Sequence, residues 1–148
     1  MTRPIVTYTC ETWILSIRDI NNFSIFERQI LRKIFGPTGS KEGWSVRSNN
    51  KLQNLRKWED IVKYIKVQRI KWWGHLNRIE DIKLVKKITD WNPIGIRNEG
   101  RPKNKWRYKV INDLQKVKLR SWIQLITGGK AWNDLVQTTK TFVGMWRH

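Results

Sequence analysis

The residues best suited to chemistry lie in a basic segment that has aromatic residues set into it. Gly100 and Pro102 predict a turn followed by a helix over about 103–118, because glycine frees the backbone and proline suits the first turn of a helix. One side of that helix is apolar and carries Trp106, Val110, Leu114 and Val117. The other side is basic and polar and carries Lys105, Lys109, Asn112 and Lys116. The segment therefore predicts a helix that packs on one side and offers ammonium groups to a polyanion on the other.

The predicted phosphate contacts lie in this segment and in the long helix before it. The first group, in and just before the basic helix, is Arg101, Lys103, Lys105, Arg107, Lys109 and Lys116. The second group is Lys66 and Lys71. Tryptophan, tyrosine and arginine planes near these cations can stack on bases. Periodicity nevertheless places most of the 10 Trp residues on apolar helix faces, which predicts that most of them belong to the core.

The charge of the whole chain supports the same interpretation. The 148 residues include 30 Lys and Arg against 12 Asp and Glu, which gives a formal net charge of +18. So large an excess predicts a polyanionic partner, of which RNA and/or DNA is the commonest. A basic surface that binds nothing and attraction to an anionic membrane are the alternatives. A hydrophobic content of 39% argues against a disordered tail.

Several kinds of site are excluded or disfavoured by the residues present. Cys10 is the sole cysteine, so neither an intrachain disulfide nor a cysteine-rich zinc site can form. The sequence lacks a Gly-rich phosphate loop, a Ser-His-Asp arrangement and paired catalytic carboxylates. His75 stands without an acidic cluster, so a structural hydrogen bond is favoured over catalysis. We therefore expect no enzyme activity, no cofactor and no metal.

The sequence also bears on where the chain resides. The N-terminus lacks the apolar run of a signal peptide, and no window approaches the roughly 18 apolar residues of a transmembrane helix. We therefore expect a soluble nuclear or cytoplasmic protein with no membrane partner. The oligomeric state is left open.

Hydrophobic periodicity predicts an all-α fold, an irregular bundle of about five to six helices with a short extended N-terminal segment. The extended segment covers about residues 5–15, which favour strands. The first helix runs from Ile17 to Phe35, between a capping box at Ser16 and a stop at Gly36. Further helices are predicted over about 49–57, 61–79, 81–88, 103–118, 121–127 and 130–142, with an exposed basic connector at about 92–102.

Three single residues carry specific expectations. Trp44 lies in a predicted loop over about 37–48 and is expected to dock on the core. Gly74 is expected to interrupt the longest helix. Arg69 falls in the apolar sector of that helix, where a lone charge is costly. Snorkelling of Arg69 to solvent is favoured over pairing with a carboxylate or a phosphate.

Five segments, in their order and spacing, resemble the C-terminal part of the reverse transcriptase of non-LTR retrotransposons. They are 8–13 (YTCETW), 26–37 (FERQILRKIFGP), 69–78 (RIKWWGHLNR), 100–106 (GRPKNKW) and 130–136 (KAWNDLV). The resemblance covers nearly the whole chain. Two stretches depart from the family pattern. Thr7 to Cys10 stands where Tyr-Gly-Cys/Ser is usual, and Thr127-Gly128-Gly129 replaces a more polar turn.

The resemblance implies two regions. Residues 1–36 correspond to the polymerase thumb, as an extended segment plus a helix. Residues 37–148 correspond to the basic helical region behind it, which is thought to handle template and element RNA. The endonuclease domain and the palm of the family lie outside this sequence, so no catalytic residue carries over.

The function implied by this resemblance is that of a non-catalytic fragment that contacts the backbone of RNA or DNA. The polymerase core of the parent protein is a further expected partner. Two alternatives stay open. One is a structural or decayed transposon relic without activity, and the other is a helix–turn–helix DNA-binding module over about residues 119–143. Preference for RNA or DNA and sequence specificity are also left open.

Overall fold

A computed structural model describes residues 3–40, 43–56, 59–91, 95, 105–116 and 122–141. Within these residues the chain forms eight α-helices, one 3₁₀ turn and a two-stranded hairpin, so the predicted all-α class is confirmed, with more helices than the five to six predicted. The helices are α1 (Arg3–Val6), α2 (Ile17–Phe35), α3 (Asn49–Leu55), α4 (Ile61–Arg78), α5 (Leu84–Asp90), α6 (Trp106–Lys116), α7 (Trp122–Leu125) and α8 (Gly129–Thr141). The 3₁₀ turn is Cys10–Thr12, and the antiparallel hairpin pairs β1 (Thr38–Ser40) with β2 (Gly43–Ser45).

Helix α2 has the bounds that its capping signals predict. The Ser16 hydroxyl accepts a hydrogen bond from the Asp19 N–H at 3.2 Å, and the Asp19 carboxylate accepts one from the Ser16 N–H at 2.9 Å. These bonds satisfy backbone groups that the helix start would otherwise leave without partners. At the other end Gly36 has a φ of 64°, a conformation that favours glycine. Arg47 Nε donates to the Gly36 carbonyl oxygen at 2.9 Å and holds the chain as it leaves the helix.

The extended segment predicted over residues 5–15 is wrong for most of its length. Helix α1 and the 3₁₀ turn occupy it, joined through Thr9, which has a left-handed φ of 55°. Packing explains the difference, because Cys10 in the turn and Leu15 after it are both buried against α4. Burial of these side chains outweighs the preference of the local residues for a strand.

Trp44 does not dock on the core, and the predicted loop around it contains the hairpin. The Trp44 side chain is 80% exposed. Trp44 lies opposite Gly39 in the pairing of β1 with β2, and its ring lies over that residue. Because Gly39 has no side chain, the ring can cover the hairpin backbone instead of a helix face.

Helix α4 is the centre of the fold and contributes to two hydrophobic clusters. In the first cluster its residues Val67, Ile70 and Trp73 pack against α6, α8 and the turn before α8. The partners are Val110, Leu114, Ile126, Trp132, Leu135 and Val136. In the second cluster the earlier residues Ile61, Val62 and Ile65 pack against Cys10, Leu15 and Ile20. Residues from both predicted regions, 1–36 and 37–148, therefore share the core around α4.

Gly74 does not interrupt α4, which continues from Ile61 to Arg78. The Trp132 indole from α8 lies directly on the Gly74 backbone, in space that any Cβ at this position would fill. The indole Nε1 donates to the Ile70 carbonyl oxygen at 3.3 Å. Glycine at this position permits the close contact of α4 with α8, although it lowers helix propensity by about 1 kcal/mol relative to alanine.

The remaining helices form near their predicted positions. Helix α5 begins at Leu84, three residues later than predicted, and α8 begins at Gly129, one residue earlier. The described parts of α6 and α7 fall inside the predicted ranges. The basic connector predicted at about 92–102 lies outside the described residues apart from Gly95, and so does Val117 of the predicted apolar side.

Candidate nucleic-acid interface

A buried ion pair joins the two helices that carry most of the predicted contacts. Arg69 of α4 and Asp113 of α6 form a hydrogen-bonded salt bridge, with side chains only 2% and 7% exposed. Arg69 Nη1 also donates to the Trp13 carbonyl oxygen at 3.2 Å. The favoured prediction for Arg69, snorkelling to solvent, is therefore wrong, and pairing with a carboxylate is observed. A signal for this pair is present in the sequence, because Asp113 lies on the apolar side of α6 next to Leu114.

Trp106 holds the start of α6 in place. Its indole Nε1 donates to the Glu11 carbonyl oxygen at 2.8 Å, and its ring centroid lies 5.9 Å from that of Trp73. Further along the same side, Val110 and Leu114 are fully buried. The packing side predicted for the basic helix is therefore confirmed for its described residues.

The basic side of α6 lies at the surface. Of its four side chains, Lys109 is half-buried. The other three, Lys105, Asn112 and Lys116, are exposed. The residues that periodicity predicts on one side are thus together in the structure. The acidic residue of α6, Asp113, is turned inward and neutralised by Arg69. The outward charge of this helix is therefore positive.

Arg107 is engaged with two groups of the protein itself. Its guanidinium carbon lies 5.6 Å from the centroid of the Trp73 ring, and its Nη1 lies 3.4 Å from Asp90 Oδ1 at the end of α5. The side chain is 51% exposed. A phosphate that approaches Arg107 therefore competes with the Asp90 carboxylate. Because the Arg107–Asp90 ion pair is exposed, it contributes little to stability and costs little to break.

Lys66, a predicted phosphate contact, is buried. The residue is only 4% exposed. Its ammonium group interacts electrostatically with the Asp113 carboxylate. Burial lowers the pKa of its ammonium group, and the Asp113 carboxylate partly opposes that shift. The prediction failed because α4 is packed from several sides, so that its buried sector is wider than its apolar stripe. Arg101 and Lys103, two further predicted contacts, lie outside the described residues.

Lys71 lies on the solvent side of α4, in a groove with a volume of about 350 Å³. This α4 groove is lined by Glu11, Gln68, Lys71, Trp72, His75, Arg78 and Asn133. The side chain of His75 is exposed, and its ring centroid lies 5.0 Å from that of Trp72 with the planes tilted by 32°. Among these residues the sequence prediction included Lys71 alone. The sequence does contain a signal for this groove. Its five α4 residues are spaced so that they share one side of the helix, three or four residues apart. They are Gln68, Lys71, Trp72, His75 and Arg78.

The cations of the α4 groove are separated along the helix. Lys71 and Arg78 are about 10.5 Å apart along the axis at 1.5 Å per residue, with His75 between them. Arg78 Nη1 donates to the Ile126 carbonyl oxygen at 3.0 Å, which orients the guanidinium and leaves its other N–H groups for further acceptors. Helix α4 contains no acidic residue, so the carboxylate in the groove is that of Glu11 from the 3₁₀ turn.

No group of three or more His, Cys, Asp or Glu side chains in the described ranges could hold a metal ion. Among the described helices, none combines the length and the apolar character needed to cross a membrane. Comparison of the chain with protein-family models, with curated proteins and with solved structures finds no match.

Proposed function

We propose that this chain is a non-catalytic nucleic-acid-binding domain that contacts the phosphate backbone through the solvent sides of α4 and α6. The observation that carries the proposal is the sign of the charge on those two sides. Every charged side chain of the two helices that is exposed or half-buried is a cation. These side chains are Lys63, Lys71, Arg78, Arg107, Lys109 and Lys116. The cations of these two helices attract a polyanion, and each phosphate that they neutralise releases counterions.

The charges beneath this surface act in the same direction. Lys66 and Arg69 are both buried, and the buried carboxylate between α4 and α6 is that of Asp113. Among the described buried residues of α4 and α6, two cations therefore stand beside one carboxylate. Fixed charge in a medium of low dielectric adds to the potential at the surface above it.

The resemblance to the C-terminal part of non-LTR retrotransposon reverse transcriptases supports the same function and suggests template or element RNA as the ligand. Two of the resembling segments, 69–78 and 130–136, contact each other through Gly74 and Trp132. The Trp132 indole can lie on α4 only because residue 74 is glycine, so this contact links two motifs that are distant in the sequence. This link supports the view that the segments belong to one folded unit.

A salt series tests the proposal. Fluorescence anisotropy would follow the full chain binding to labelled single-stranded RNA, duplex RNA and duplex DNA of one sequence, from about 50 to 200 mM salt. We expect all three to bind, with log K falling linearly against log salt by about 0.7–0.9 per phosphate contact. Absence of binding at the lowest salt, or binding that salt does not change, would refute the proposal and favour a structural or relic role. Binding to anionic lipid vesicles without binding to nucleic acid would refute it in favour of a membrane surface.

A further inference from the structure

We infer that the α4 groove holds an unpaired base of single-stranded nucleic acid, which stacks on Trp72 while neighbouring phosphates meet Lys71 and Arg78. The inference rests on the proposed function and adds to it a ligand class and a place. The α6 side would then supply phosphate contacts for any nucleic acid, and the α4 groove would distinguish single strands from duplexes.

The two adjacent tryptophans of α4 differ in their surroundings. Trp73 is 3% exposed and belongs to the first hydrophobic cluster. Trp72 is half-buried and, among the described residues, is part of neither cluster. It lines the α4 groove beside Lys71. A partly exposed aromatic ring beside cations is the arrangement by which proteins bind single strands without reading their sequence.

His75 adds a second aromatic ring to the α4 groove. It follows Trp72 by nearly one turn of the helix, and the two ring centroids lie 5.0 Å apart. Histidine rings, like those of tryptophan, stack on unpaired bases. The two rings lie against each other between Lys71 and Arg78, with their planes tilted by 32°.

The polar residues of the α4 groove are suited to phosphates at its cationic positions and to base edges elsewhere. Lys71 and Arg78 attract phosphate, whereas the Glu11 carboxylate repels it and accepts from amino groups of bases. The amide side chains of Gln68 and Asn133 both donate and accept, so they can pair with the edge of any base. We therefore expect strand preference with little sequence preference.

The size of the α4 groove also favours an unpaired nucleotide. Its volume of about 350 Å³ lies at the lower end of the roughly 300–1,000 Å³ of small-molecule sites. A duplex offers no unpaired base to such a groove. Its bases are already stacked and paired, and they would have to leave the stack to reach Trp72.

The test removes the Trp72 ring and compares strands. Fluorescence anisotropy of the full chain would be measured with single-stranded RNA, single-stranded DNA and a duplex of the same sequence. We expect Trp72→Ala to weaken single-strand binding roughly 5- to 150-fold, the range for loss of one stacked base, and to leave duplex binding and the salt slope unchanged. Trp72→Phe keeps a ring and should retain most of the affinity. Trp44→Ala, which removes an 80% exposed indole on the hairpin, is the matched control and should change nothing.

Each result separates this inference from the proposed function. Unchanged single-strand affinity of Trp72→Ala would overturn the inference and leave the function standing, since the wild type would still bind. An equal loss for single strands and duplex would also overturn it, as would a loss in Trp72→Phe as large as in Trp72→Ala. A wild type that binds no nucleic acid would refute the function itself.

Thermal denaturation shows whether each variant folds. If Trp72→Ala unfolds, Trp72→Leu takes its place, because leucine is apolar but has no ring. The binding results expected of Trp72→Leu are the same as those of Trp72→Ala.

Discussion

Arg69 and Asp113 form a salt bridge inside the protein, between the central helix α4 and the basic helix α6. Each residue lies among the buried residues of its own helix, so the pair determines which side of α6 faces α4. The Arg69 guanidinium also binds the Trp13 carbonyl oxygen, so one side chain connects the N-terminal segment with both helices. The direction in which Lys105 and Lys116 project therefore depends on a buried contact of opposite charges.

Removal of the Asp113 carboxylate should destabilise the fold strongly. We expect Asp113→Ala to lower the free energy of unfolding by about 3–5 kcal/mol, because it leaves the Arg69 charge buried without its partner. Urea denaturation followed by circular dichroism measures the change. Asp134→Ala, which removes an exposed acid on α8, is the control and should change stability by less than about 0.5 kcal/mol.

Replacement of both members of the pair should cost less than replacement of one. The double variant Arg69→Met, Asp113→Leu puts apolar side chains where two charges were, and such exchanges are often neutral or stabilising. We expect its urea midpoint to lie above that of Asp113→Ala. A double variant less stable than the single one would show that the Arg69 bond to Trp13, rather than the ion pair, dominates.

The contact of Gly74 with Trp132 predicts an unusual response to alanine. In most helices Gly→Ala is stabilising by about 1 kcal/mol. Here the added Cβ overlaps the Trp132 indole, and overpacking of this kind costs about 1–3 kcal/mol. We expect Gly74→Ala to be less stable than the wild type in urea denaturation. Gly129→Ala, whose Cβ would meet nothing within 4 Å, should be neutral or stabilising, and a stabilised Gly74→Ala would contradict the observed packing.

Lys66 should link stability to alkaline pH. Burial lowers the pKa of its ammonium group below the ordinary value of 10.5, so the folded protein binds this proton less tightly than the unfolded chain. Between the folded pKa and 10.5 the unfolded chain holds more protons, and the contribution of Lys66 to stability therefore rises with pH. We expect Lys66→Met to be more stable than the wild type at neutral pH, by a margin that shrinks as pH rises through that window.

Urea midpoints across the alkaline range measure this margin. Lys63→Met, at a half-buried position of the same helix, is the control for loss of one lysine. A margin for Lys66→Met that stays constant with pH would mean that Lys66 does not titrate differently in the folded and unfolded chains.

The bounds of α2 could be predicted because the signals that set them are local. The capping box at Ser16 and the stop at Gly36 each act over a few residues, and both are observed. The Arg69–Asp113 pair joins positions 44 residues apart. It depends on how α4 and α6 are rotated against each other, which the periodicity of either helix alone does not determine.

The same distinction applies to the candidate interface. The basic side of α6 was predictable because the buried residues of this helix, Val110, Asp113 and Leu114, form one narrow stripe on its opposite side. Lys66 was misassigned because α4 is covered from several directions at once. Gly74 was interpreted as a helix break because helix propensity considers only the local backbone. The reason for glycine at this position is the contact with Trp132, which is distant in the sequence.

Three lysines, two on the basic side of α6 and one directly before the helix, should carry a measurable share of nucleic-acid binding. We expect the triple variant Lys105→Gln, Lys109→Gln, Lys116→Gln to bind single strands and duplexes more weakly, because phosphate contacts are independent of sequence. The slope of log K against log salt should become shallower by about two to three, at 0.7–0.9 per lost contact. Folding should survive, since Val110 and Leu114 pack on the opposite side. Anisotropy over a salt series and circular dichroism measure both.

A second triple variant separates direct contacts from overall charge. Lys33→Gln, Lys51→Gln, Lys83→Gln removes three exposed lysines outside α4 and α6 and therefore loses the same charge. Long-range attraction should fall equally in both variants, whereas the salt slope should change mainly in the α6 variant, because counterions are released where phosphates are neutralised. Equal slopes in the two variants would place the contacts elsewhere on the surface. An unfolded α6 variant would mean that the packing and binding sides of this helix are reversed, which the burial of Val110, Asp113 and Leu114 argues against.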